Sequence, residues 1–286
     1  MTRLALLHST VRAEEKLLAE AARSRGVEVM WVDIREAVLD PRRPLPAADV
    51  ALERSVSTVK GGYAASFWEA SGIPVVNASA VAAVCRDKFA ASLLLAGAGV
   101  PEPRFALVFD IIRARAVIEE WGGYPVVLKP AQGSWGRLLA KVNDDDALEA
   151  VLEHKDVLGT PPQKAFYLQE FVRKPGRDIR AFVVDGQTIA AIFRESSHWI
   201  TNTARGGLAS NCPVASDLDD ICRRTSAAVG GGAVAVDLFE TPGGFLVNEV
   251  NHTMEFRNSE APTGVSIAGA VVDYALRVAR EKGPGR

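Results

Sequence analysis

Cysteine is scarce in this chain: Cys85, Cys212 and Cys222 are the three present in 286 residues. No two of them form a CxxC pair, and an odd number cannot all be bridged. That pattern argues against a disulfide scaffold and a thiolate zinc site, and buried thiols in a reducing, cytoplasmic setting are expected. The four histidines show no HxxxH spacing. A basic excess is also missing, with 33 Lys and Arg against 35 Asp and Glu and a net charge of −2. Wholesale nucleic-acid binding usually shows itself as such an excess, so no nucleic-acid partner is expected. No apolar run approaches the length of a membrane span, and the run within MTRLALLHST is too short for a signal peptide. Two nucleotide fingerprints, GxGxxG after the first apolar strand and GxxxxGK[ST] anywhere, are absent. What is present, 48% hydrophobic and 24% charged residues, fits a soluble globular protein, either one large domain or two to three small ones around a cleft.

Periodicity divides the chain into alternating elements. Leu4–Leu7, Val27–Val32, Val50–Leu52 and Val75–Val76 read as short strands, with helices over Ala13–Arg25 and Thr58–Ala70. Strands alternating with helices predict a small parallel α/β sheet over the first 80 or so residues. Further on, strands are expected at Val126–Lys129, Leu138–Val142, Phe166–Phe171, Ile179–Val184, Thr188–Phe193, Val234–Phe239 and Phe245–Val250. Asp185-Gly186 supplies a two-residue hairpin turn between the fourth and fifth of these. Helices are expected at Asp87–Ala96, Asp144–Leu158, Leu218–Val229 and Ile267–Ala279.

The most informative run is DLFETPGGFLVNEVN, Asp237 to Asn251. It places Asp237 on one apolar strand, then a Pro-Gly-Gly turn, then Glu249 and Asn251 on the next. Alternate residues of a strand share a face, so Glu249 and Asn251 point the same way and a paired strand can bring Asp237 beside them. Two carboxylates and an amide oxygen form a hard ligand set for Mg2+ or Mn2+, with substrate phosphates completing the shell. Lys129 ends a buried strand just before the glycine-bearing loop AQGSWG, where backbone N–H groups at Gly133, Ser134 and Gly136 can approach phosphate. The junction Gln169-Glu170-Phe171-Val172 offers backbone groups to an adenine edge, and Glu170 or Asp178 offers a carboxylate to a ribose. Arg205 before Gly206-Gly207 can approach a transferring phosphoryl group or a developing oxyanion. Lys88 alone reads as a solvated lysine, and His198 as a packing or hydrogen-bonding residue more readily than as a base.

Five segments in register carry a resemblance. They are Lys88, YPVVLKPAQGSWGRLLAKV, YLQEFVRKPGRDIRAFVV, HWITNTARGG and VAVDLFE…LVNEVNHTMEFRNS. In this order they resemble the ATP-grasp superfamily, its RimK-like branch, and within it the LysX-type ligases that load an amino acid onto an amino-group carrier protein. The likeness spans roughly Cys85–Ser259, with ALERSVS (Ala51–Ser57) standing out before it.

The resemblance implies an α/β (α+β) protein: a Rossmann-like pre-ATP-grasp domain over 1–84, then two α+β subdomains over 85–172 and 173–286 that clamp ATP. It implies that Lys88 and Lys129 contact ATP phosphates and that Gly133, Ser134, Trp135, Gly136 and Arg137 close over them. Gln169, Glu170, Phe171 and Val172 would form the adenine hinge, with Asp178, Arg180 and Asn202 nearby. Asp237, Glu249 and Asn251 would hold two Mg2+ ions. Arg194 and Arg205 would serve catalysis, and His198, Asn202, Thr203, Asn258 and Ser259 would join them in binding substrate.

The implied reaction turns the side-chain carboxyl of a carrier's C-terminal glutamate into an acyl phosphate, which the amino group of an amino acid attacks. The implied partner is a small acidic LysW-type carrier protein. Asn258-Ser259 resembles the aminoadipate type, and thus lysine biosynthesis, where a Gly-Phe pair goes with glutamate. The alternatives are a glutamate–carrier ligase of arginine or ornithine synthesis, a ligase adding glutamate to another peptide, protein or cofactor, and a nucleotide-binding regulatory module. A homodimer or homotetramer is expected.

Overall fold

A computed structural model describes residues 1–133, 138–201 and 208–282. The first sheet contains β1 (Arg3–His8), β2 (Glu28–Asp33), β3 (Val50–Glu53) and β4 (Val75–Val76), in the order β2-β1-β3-β4 and parallel throughout. It is covered on both faces, which is why β1 reads as an unbroken apolar run. Leu4 and Leu6 pack with α1 (Ala13–Arg23), while Ala5 and Leu7 pack with Trp68 of α2 (Thr58–Ala70).

Two helices lead away from this sheet, α3 (Ser79–Cys85) and α4 (Lys88–Gly97). Asp87 caps α4 by accepting from the N–H groups of Phe89 and Ala90 at 3.0 and 3.1 Å. The second sheet comprises β5 (Phe105–Val108), β6 (Val126–Pro130), β7 (Ala140–Val142) and β8 (Phe166–Glu170), antiparallel in the order β5-β8-β6-β7. One face, carrying Leu128, Phe166 and Leu168, is buried under α5 (Ile111–Glu120) and α6 (Asp145–Leu158). Alternation then sends Lys129, Tyr167 and Gln169 to the opposite face.

The third sheet holds β9 (Arg177–Val184), β10 (Gln187–Glu195), β11 (Leu208–Asn211), β12 (Ala233–Thr241) and β13 (Gly244–Asn251). It is antiparallel in the order β11-β10-β9-β12-β13, and α7 (Ser216–Ala228) packs on one of its faces. Asp185 and Gly186 both take positive φ, 56° and 73°, as the hairpin turn between β9 and β10 requires. A short helix, α8 (Glu260–Thr263), precedes α9 (Ile267–Lys282). Val271, Val272 and Ala275 of α9 join one core with Leu4 and Leu6 of the first sheet and with Phe182, Ile192 and Ala235 of the third. That core ends abruptly. Two residues along each strand, on the same face, stand Arg180 after Phe182, Arg194 after Ile192 and Asp237 after Ala235. One sheet face is thus apolar at one end and ionic at the other.

Sequence reasoning left 97–125 without elements, and β5 and α5 lie there. The apolar residues of FALV run almost directly into IIRARAVIEE, with no glycine or proline between them to separate strand from helix. It also passed over α3, β11 and α8. Among the described residues, no helix is long and apolar enough to cross a membrane.

Candidate active site

A cleft of about 360 Å3 opens between the polar face of the second sheet and the ionic end of the third. Its size lies in the range of small-molecule sites. Lys129 stands at its inner wall, 6% exposed, with Nζ donating to Asn248 Oδ1 at 2.7 Å. Burial pulls the Lys129 ammonium down to about 8, against the upward pull of Glu249. Lys88 donates Nζ to the Gly133 carbonyl at 2.7 Å and pairs with Glu249 at 3.1 Å. Lys88 is therefore a cleft residue rather than the solvated lysine that its isolated position suggests. Two cations from different elements converge where a polyphosphate would need them.

The hairpin β12–β13 pairs Asp237 with Glu249, and a β-bulge follows, because Leu238 pairs with Val247 and leaves Asn248 without an opposite. The bulge lets Asn248 and Glu249, consecutive in sequence, both line the cleft. Asp237 is 4% exposed and receives Arg180 through two bonds, Nε and Nη2 each at 2.8 Å. Arg194 Nη2 adds a contact at 3.3 Å. Burial alone would raise the Asp237 carboxyl, but the two guanidinium groups win and hold it at about 2. Asn251 lies two residues beyond Glu249, opposite Ala235, with its buried Nδ2 unpartnered.

Among the described residues, no group of three or more His, Cys, Asp or Glu could hold a metal alone. Asp237, Glu249 and Asn251 instead form a partial set of hard oxygen ligands. Two carboxylates already matched by cations, beside an amide whose Oδ1 can ligate, fit a divalent ion completed by phosphate.

The hinge Gln169–Val172 lines the same cleft. Gln169 is buried, whereas the Glu170 carboxylate is held by Arg104, with Nε and Nη2 both at 3.1 Å. Phe171 lies under Lys141 Nζ at 4.3 Å and against Trp199. Asp178 is committed as well: Arg194 Nε donates to its Oδ1 at 2.6 Å, while Lys174 Nζ, at 3.3 Å, and Thr201 Oγ1 both donate to its Oδ2. His198 Nδ1 accepts from the Ile200 N–H at 3.0 Å, the hydrogen-bonding role expected of it. Asn258 and Ser259 line a separate small pocket whose wall is shared by Arg180 and Arg194.

Ser134, Trp135, Gly136, Arg137, Asn202, Thr203 and Arg205 lie outside the described residues. The sequence reading missed Lys174, Trp199 and Asn248, all of which line the cleft. Lys174 follows the hinge directly and precedes a Pro-Gly turn, a signal that could have marked it. Asn248 depends on the bulge and carries no local signal.

Two family models divide the chain between them: a LysX pre-ATP-grasp domain over residues 4–84 and a RimK-like ATP-grasp domain over 85–275. The chain belongs to the RimK-like ATP-grasp family. It is thereby an ATP-dependent, ADP-forming ligase. It is 31% identical to the glutamate–LysW ligase ArgX of Sulfurisphaera tokodaii, over 95% of this chain and 97% of that one. It is likewise 31% identical to the α-aminoadipate–LysW ligase LysX of Saccharolobus solfataricus, over 92% and 97%. A RimK-domain ATP-grasp protein of Sphaerobacter thermophilus superposes with a TM-score of 0.82 at 30% identity, covering 96% of this chain and all of that one.

Proposed function

We propose that this RimK-like ligase joins the α-amino group of α-aminoadipate to the side-chain carboxyl of the C-terminal glutamate of a LysW-type carrier protein. ATP supplies the phosphoryl group that turns that carboxyl into an acyl phosphate. Attack by the amine then displaces phosphate and leaves an amide. In this reading residues 1–84, 85–172 and 173–286 are the three domains, and the hinge Gln169–Val172 takes the adenine. Lys88 and Lys129 take the phosphates, the loop 133–137 covers them, and Arg194, Asn202 and Arg205 face the γ-phosphate. Asp237, Glu249 and Asn251 would hold two Mg2+ ions, which supply charge neutralisation to the transferring phosphoryl group.

The observation that carries the reading is the register pair Asp237–Glu249, which lines a cleft together with Lys88 and Lys129, while Arg180 and Arg194 hold Asp237. Three cations pair with two carboxylates, Lys88 with Glu249 and both Arg180 and Arg194 with Asp237, and Lys129 stands beside them on Asn248. A site sheltered from water gives each of these contacts more strength than bulk solvent would and protects an acyl phosphate from hydrolysis. The Asn258-Ser259 pair supports aminoadipate as the amino acid.

The test is ADP release by purified protein given ATP, Mg2+, a LysW-type carrier ending in glutamate, and one amino acid at a time. Release should need the carrier and be fastest with α-aminoadipate. Equal release without carrier would sink the proposal. A second reading, the glutamate–carrier ligase, is favoured by the equal 31% identity to the ArgX and LysX proteins. It predicts glutamate as the faster substrate in the same assay.

A further inference from the structure

The open end of the β12–β13 hairpin is held by a residue from another sheet. Asn77 directly follows β4 of the first sheet and is 6% exposed. Its Nδ2 donates to two backbone carbonyls, Ala233 O at 2.8 Å and His252 O at 2.5 Å, and its Oδ1 accepts the Ala233 N–H at 2.7 Å. Ala233 is the first residue of β12, and His252 comes directly after Asn251, the last residue of β13. The ladder between these strands ends where Ala235 pairs with Asn251. One buried amide therefore bridges the two strands just beyond their last rung.

Two neighbours are fitted to this contact. Gly232 has φ of 99° and comes so close that a Cβ there would lie 2.2 Å from Asn77 Oδ1. Arg54, the residue after β3, donates Nη2 to the Met254 carbonyl at 2.9 Å. The first sheet thus holds alternate carbonyls, 252 and 254, of the segment that leaves the hairpin. Asn251 needs such support. Its Nδ2 is buried without a partner among the described residues, so this amide does not anchor its own side chain, and the backbone on either side sets its aim. Upstream, the pairing of Val250 with Val236 fixes that backbone, and downstream the bond from Asn77 to His252 does.

We propose that Asn77 is a positioning residue for the divalent-metal ligands: it fixes the carbonyl next to Asn251 and the start of the strand that carries Asp237. All three of its bonds go to backbone, so it acts through the hairpin. The inference rests on the proposed ligand set Asp237, Glu249 and Asn251 and deepens it, because it makes the first sheet part of the metal site's construction. Removing a hydrogen-bond partner that orients a metal ligand typically weakens metal binding about 10–100-fold.

The test is electron paramagnetic resonance of Mn2+ bound to the full-length protein with a non-hydrolysable ATP analogue. Calorimetry of the analogue in EDTA gives the metal-free reference. The wild type should take up Mn2+, and Asn77→Ala should raise the Mn2+ Kd about 10-fold or more while metal-free binding of the analogue stays at the wild-type value. Asn77→Ser, which keeps a hydroxyl donor and loses less packing, should fall between them, and it serves if the alanine variant does not fold. Arg25→Ala controls for domain docking in general. It breaks the Arg25–Asp273 pair between α1 and α9, Nε to Oδ1 at 2.6 Å, outside the hairpin, and should leave Mn2+ affinity unchanged. Wild-type Mn2+ affinity in the Asn77 variants, an equal loss in Arg25→Ala, or a parallel loss of metal-free analogue binding would overturn the proposal and leave the ligand set standing. A wild type that takes up no Mn2+ would overturn both. The ligase reading is judged apart from either, by carrier-dependent ADP release in the wild type.

Discussion

Replacing Asp237 with asparagine isolates the charge at the centre of the site. The side chain keeps its shape, but Arg180 loses a bidentate partner and Arg194 its contact at 3.3 Å. Arg194 retains Asp178 at 2.6 Å, so Arg180 suffers most. Breaking a buried pair from one side typically costs about 3–5 kcal/mol, because the other charge is left unmatched. The carboxyl gives an independent measure, being drawn from 3.8 to about 2 by the two guanidinium groups. At about 1.4 kcal/mol for each tenfold change in proton affinity, that is roughly 2 kcal/mol. The two figures bracket a loss of about 2–5 kcal/mol, or on the order of 5–20 °C in Tm for a chain of this size.

The sign with pH follows from linkage. A carboxyl whose folded pKa is depressed contributes stability above its unfolded value and loses it as pH falls through the folded one. Urea unfolding of wild type and Asp237→Asn should therefore differ by a constant margin from pH 7 to about 4.5. The margin should then shrink as the pH falls from 3.8 towards about 2. A margin that stays level down to pH 2.5, or an asparagine variant as stable as the wild type at pH 7, would refute the assignment of this stability to the buried carboxylate.

Three further outcomes are expected. Lys129 is depressed to about 8 by burial, so the unfolded chain binds more protons between there and about 10.4, and stability attributable to Lys129 rises over that interval. Lys129→Met should remove that alkaline gain, read as the Tm difference between the two proteins at pH 7.5 and 9.5; a constant difference would count against the buried cation. Gly61→Ala would set a Cβ 2.5 Å from the Glu53 Oε1 carboxylate oxygen, which is itself buried. The variant should lose about 1–3 kcal/mol in chemical denaturation, and wild-type stability would show that Glu53 moves freely. On the proposed roles, Arg205→Ala should bind ATP normally and turn over about a hundredfold more slowly, which single-turnover kinetics alongside nucleotide titration can check.

The sequence made the polar hairpin legible because a strand has a period of two. Asp237 and Glu249 are twelve residues apart, joined by a Pro-Gly-Gly turn, and antiparallel pairing puts them opposite one another. The Asp185-Gly186 turn was legible for the same local reason, since its two residues tolerate the positive φ that the hairpin demands. The guanidinium groups were harder to place. Arg180 and Arg194 share a face with the apolar Phe182 and Ile192, and only the point where α9 stops covering the sheet decides that they and Asp178 form its ionic end. That point is set by Leu4, Leu6 and Val271, which belong to distant parts of the chain. Glu14 was less visible still. It reads as an ordinary acidic residue in the first turn of a helix, where it complements the helix dipole. Burial under the 254–259 segment, more than two hundred residues later, takes it out of water, and its Oε1 accepts the Arg257 backbone N–H at 3.3 Å. Local spacing therefore reveals where a nucleotide-phosphate site is built. Long-range packing decides which of the chain's many acids and arginines are drawn together beside it, as Asp178, Arg180, Arg194 and Asp237 are.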